Sequence, residues 1–86
     1  GERYLHLPQA HLTVRKEGGR VEVATDVFAK QVVLEFEGPS GAVFEDNYFD
    51  LPPGQTRTIS VVNAASAGQV TVRAVNAEAA TVAWKP

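Results

Sequence analysis

Carboxylates are the residues in this chain whose spacing first invites a chemical reading. Glu45, Asp46 and Asp50 form its densest acidic group. Two carboxyls can act as acid and base in glycoside hydrolysis when a cleft holds them roughly 5 Å or 6.5–9.5 Å apart and raises one pKa. Acidic loops can also hold a hard cation, with oxygen donors at alternate positions around a glycine. Tyr48 and Phe49 interrupt that alternation, and a chain this short rarely encloses a catalytic cleft. The three acids therefore read as turn-forming, solvated groups. His6 and His11 have no cysteine or third histidine to complete a zinc set. Ser40, Ser60 and Ser66 lack the G-x-S-x-G context of a nucleophile elbow. No glycine-rich phosphate loop is present, so neither a metal nor a cofactor is expected.

The aromatic residues suggest binding. Tyr4, Tyr48 and Trp84 each combine an apolar body with a polar tip. A pyranose has an apolar face that stacks on a flat ring, while Asp, Asn or Arg nearby bond its hydroxyls. Tyr48, flanked by Asp46, Asn47 and Asp50, is the candidate contact, either with a neighbouring domain or with a sugar. Trp84 shares a face with Val82 and reads as core.

The elements that must position these groups are strands. Apolar and polar residues alternate through His11–Arg15, Val21–Thr25, Val32–Glu37, Gln55–Val62, Val70–Val75 and Ala80–Trp84, and no helical period is evident. Gly18-Gly19 marks a hairpin. Asp26–Lys30, Gly38–Gly41 and Asn76–Glu78 read as turns. Asn63–Gly68 is a loop of small residues, with one helical turn as the alternative. Seven to eight short antiparallel strands at this spacing specify an all-β sandwich.

The chain is organised around Phe44–Gly54, which reads as a crossing between two sheets. Its alternation sends Phe49 and Leu51 inward and Tyr48 and Asp50 outward. Asp46 and Asn47 suit its entry because short polar side chains bond nearby backbone. Pro53-Gly54 fits the centre of a type II turn.

Eighty-six residues allow one core. Residues 1–9 read as a linker or lead-in strand and 10–86 as the sandwich. A net charge of −2, with scattered Lys and Arg, argues against a nucleic-acid or anionic-membrane surface. No run approaches the ~18 apolar residues of a membrane span. Cysteine is absent, which removes disulfides and thiolate chemistry. Methionine is absent too, even at position 1, so the sequence reads as a portion of a longer polypeptide.

The run Asp46–Gly54 resembles the motif of the C-terminal Ig-like domain of β-mannosidases, which has a close relative in exo-β-glucosaminidases of glycoside hydrolase family two. The run Val23–Phe36 resembles the strand pair that precedes that motif. Pro52 departs from the usual second leucine, and Gln55 from the usual glutamate. The likeness spans about Leu7 to Trp84. It implies an immunoglobulin-like sandwich appended to a catalytic (β/α) barrel in a larger exo-glycosidase. The family's catalytic glutamates lie on the barrel, so none is carried over and the piece alone is expected to be inactive. Two roles follow from the resemblance: a scaffold that packs on and stabilises the barrel, or a module that holds oligosaccharide near the active site.

Overall fold

The computed structural model describes residues 6–86. Tyr4 and the first part of the expected lead-in lie outside them. Eight strands follow in chain order: β1 Leu12–Glu17, β2 Arg20–Thr25, β3 Ala29–Glu37, β4 Val43–Phe44, β5 Phe49–Leu51, β6 Thr56–Val62, β7 Gly68–Ala74 and β8 Ala77–Trp84. They form two four-stranded sheets, ordered β1-β2-β6-β4 and β5-β3-β7-β8, with every strand pair antiparallel. No α-helix occurs among the described residues, and Asn63–Ala67 is loop.

Alternation explains each strand, because successive side chains leave a pleated backbone on opposite sides. Val21, Val23, Val32, Leu51, Ile59, Val70 and Val72 all turn inward and are fully buried. Trp84 closes the core, as its phase with Val82 predicts. Burying a side chain of this size contributes roughly 1.5–3 kcal/mol, so this apolar interior holds the two layers together without a disulfide.

The turn chemistry also follows the sequence. Gly18 takes φ +58° at the first central position of the β1–β2 turn, where positive φ gives the type II′ geometry. At the other end Gly54 takes φ +71°, and Gln55 N donates to Pro52 O at 3.2 Å. Pro53-Gly54 is thus the centre of a type II turn.

Phe44–Gly54 crosses between the layers. β4 pairs with β6 in one sheet, and five residues later β5 pairs with β3 in the other. Phe49 and Leu51 are buried, while Tyr48 and Asp50 are exposed.

Two turns and the face of one residue differ instructively from the sequence reading. The turn expected over Asp26–Lys30 is shorter, because β3 already begins at Ala29. Asp26 makes that compact reversal possible by accepting Val27 N and His11 N, each at 2.7 Å. The turn expected over Asn76–Glu78 is Val75-Asn76, since Ala77 already pairs with Ala74. Thr71, on the outward phase of β7, is nonetheless buried, and its hydroxyl donates to Glu37 at 3.3 Å.

Candidate functional site

Asp46, Asn47 and Asp50 hold the crossing in place. Asp46 accepts Asn47 N at 2.9 Å and ion-pairs with Arg57 of β6. The Arg57 guanidinium also lies 4.3 Å from the Phe49 ring centroid, a cation–π contact that ties one sheet to the other. Asn47 uses its amide as a strand would use its backbone. Its Nδ2 donates to Leu34 O at 2.9 Å, and its Oδ1 accepts Leu34 N at 2.8 Å. Because β5 has only three residues, this side chain continues the ladder on the β3 edge beyond Val32↔Phe49.

Asp50 does similar work at the next irregularity. The β3–β5 register shifts between Ala29 and Val32, and Gln31 inside that bulge has φ +53°. Asp50 Oδ1 accepts Gln31 N at 3.0 Å, and Oδ2 accepts from Lys30 Nζ at 3.2 Å. The Gln31 amide lowers the Asp50 pKa, desolvation opposes it in part, and Lys30 adds to the lowering. The carboxylate stays ionised in its bulge-stabilising form. A lowered pKa is the opposite of what a general acid needs.

Tyr48 differs from its neighbours. Its backbone is left-handed, φ +58°, and its N donates to Asn47 Oδ1 at 3.0 Å. The residue is 77% exposed. A bulky residue in that region is uncommon and costs about 1–3 kcal/mol. The ring borders an open concavity of about 560 Å³ lined by Gln31, Val33, Glu35, Arg73, Ala74 and Val75. Three backbone irregularities converge there: Gln31, Tyr48, and a register shift between Val72 and Ala74 in the β7–β8 pair. Bulges re-aim side chains and are frequent beside binding sites. Across the floor, Arg73 Nε donates to Glu35 Oε1 at 2.7 Å, so the two charges neutralise each other. Among the described residues, the Gln31 side-chain amide and the Tyr48 hydroxyl have no hydrogen-bond partner.

Of the four candidate contacts, the structure brings only the Tyr48 side chain to this concavity. Gln31, Glu35, Arg73 and Val75 were not singled out from the sequence. Val33, Glu35 and Arg73 had a usable signal, since all three fall on outward phases of their strands. Gln31 had none, because glutamine is not a residue that announces positive φ.

The chain's entry lies at the same end. Asn76, next to Val75, donates through Nδ2 to Pro8 O at 2.9 Å and Phe28 O at 2.7 Å. Its Oδ1 accepts Lys30 N at 2.9 Å, and its carbonyl accepts Ala10 N at 2.8 Å. Ala10 also makes a parallel bridge to Ala77. His6 is exposed, whereas the His11 ring is held by Asp26, with Nδ1 and Oδ2 2.7 Å apart. No group of three or more metal-ligating side chains exists among the described residues.

Two antiparallel sheets packed face to face, with a chain that changes sheet at Asp46–Tyr48, define an immunoglobulin-like β-sandwich. A family model for the Ig-fold domain of mannosidases matches residues 5–78. The chain belongs to that family. Comparison with curated proteins and with solved structures returns no match.

Proposed function

We propose that this chain is a non-catalytic, C-terminal accessory domain of a β-mannosidase-like exo-glycosidase, where it packs against the catalytic barrel and stabilises it. The parent would hydrolyse terminal β-mannosides, and this domain would supply none of the reacting groups. The observation that carries the reading is the junction at Asn76, which ties Pro8, Ala10, Phe28 and Lys30 into one hydrogen-bonded knot. Such a knot fixes the angle at which the preceding polypeptide leaves the sandwich, as a packed accessory domain requires and a loosely tethered one does not. The acids of the crossing support the non-catalytic part. Asp46 and Asp50 are engaged with Arg57, Lys30 and backbone amides.

The test compares the isolated chain, the full-length polypeptide encoded with it, and that polypeptide with this domain deleted. The isolated chain should not hydrolyse 4-nitrophenyl β-mannoside. Deletion should lower the thermal midpoint of the hydrolase while leaving KM unchanged. Turnover by the isolated chain, or a deletion that leaves the midpoint unmoved, would count against the proposal.

A further inference from the structure

We infer that the concavity beside Tyr48 is a binding site for an uncharged pyranoside, formed by Tyr48, Gln31, Glu35 and Arg73 over a floor of Val33 and Val75. The inference goes beyond the accessory role, since a barrel-packing domain needs no ligand site. Its size falls within the roughly 300–1,000 Å³ of small-molecule sites. Its chemistry is mixed in the way a sugar ring is mixed. The Tyr48 ring offers a flat apolar surface to the C–H face of a pyranose. The Gln31 amide supplies donors and an acceptor for hydroxyls, and the outer edges of Glu35 and Arg73 supply more.

Charge decides against an ionic ligand. Glu35 and Arg73 pair at 2.7 Å, so the concavity carries no net charge to attract a carboxylate or an ammonium. A polyol bridges such a pair without disturbing it. Backbone geometry points the same way: among the described residues, two of the three non-glycine residues with positive φ, Gln31 and Tyr48, line this one concavity. Folding needs the crossing, but it does not need a solvent-facing aromatic ring at a left-handed position.

The test is a heteronuclear NMR titration of the chain with β-1,4-mannotetraose and, separately, with cellotetraose. Saturable shifts at the Gln31, Val33, Tyr48, Arg73 and Val75 amides, with the millimolar Kd of an open site, are expected. Tyr48→Asn, which tolerates left-handed φ, should weaken binding by about tenfold, the equivalent of about 1.4 kcal/mol of ring contact. Tyr48→Phe should keep it within about threefold, a difference of under 1 kcal/mol. Arg73→Ala is an independent second variant and should also weaken binding. A preference for cellotetraose would uphold the site while counting against a mannoside-acting parent. No shift with either sugar, shifts on another face, or shifts that survive Tyr48→Asn would overturn the inference.

Discussion

Replacing Asn47 by alanine tests whether one side-chain amide closes the edge of a sheet. The amide pairs with both polar groups of the Leu34 backbone, at 2.8 and 2.9 Å, in a half-buried position. In Asn47→Ala those two groups lose their partner at a place where water enters poorly. An unsatisfied buried group costs about 1–3 kcal/mol; at half burial the two together should cost about 3 kcal/mol. For a domain of this size 1 kcal/mol moves the thermal midpoint by roughly 4–8 °C. A fall of roughly 12–24 °C is therefore expected, read by circular dichroism at 218 nm, the usual β-sheet band. Hydrogen exchange gives a local check. The Leu34 amide should be protected in the parent chain and exchange much faster in the variant, while the Val23 amide in the other sheet keeps its relative protection. A midpoint within about 4 °C of the parent, with Leu34 still protected, would refute the reasoning.

Four other substitutions probe the same framework. Phe49→Ala removes a buried ring and its contact with Arg57; a loss of about 3–5 kcal/mol in chemical denaturation is expected, and a barely shifted curve would mean the ring is not core. Gly68→Ala should be severe, because its Cβ would collide with the Glu37 carbonyl oxygen and lie 2.7 Å from the Phe36 ring. Gly19→Ala meets nothing within 4 Å and should stay within about 0.5 kcal/mol, so equal effects at the two sites would contradict the packing at the β3–β7 end. Asp26 is lowered to about 2 by the His11 backbone hydrogen bond, then by the His11 ring, with Val27 N adding to both. Its folded pKa is below the ordinary value of 3.8, so its contribution is present above about pH 4 and is lost as pH falls through about 2. The midpoint advantage of the parent chain over Asp26→Asn should shrink between pH 6 and pH 2; a constant difference would show that the carboxylate does not act through its ionised form.

Most of the architecture was legible because it depends on local choices. Val21, Val23 and Thr25 alternate in the sequence and in the structure, and Gly18-Gly19 and Pro53-Gly54 turn the chain where their φ preferences say they should. The crossing was legible for the same reason: Phe49 and Leu51 are two residues apart and must share a face. What could not be read is the set of side chains that bond distant backbone. Asn76 reaches Lys30 across 46 positions, Asn47 reaches Leu34 across 13, and Asp50 reaches Gln31 across 19. Each of these residues looks like an ordinary turn former in sequence. Only the register of β3 with β5 and β7 decides which amide waits opposite it. The bulge at Gln31 was hidden for a related reason, since the Asp50 carboxylate stabilises it and no preference of glutamine does.

These non-local bonds also account for the unusual setting of Tyr48. Asn47 turns its amide sideways onto Leu34, and two residues later Phe49 must enter the core. Only a left-handed residue at position 48 reverses the chain tightly enough to satisfy both. Glycine or asparagine would adopt that conformation at less cost. A tyrosine there retains the strain and adds a ring in solvent, so its contribution must be sought outside the fold. On this argument Tyr48→Asn should leave the thermal midpoint unchanged or raised while it weakens sugar binding. A variant that both melted early and lost binding would show the ring to be part of the scaffold, and the case for a ligand at this concavity would lose its main support.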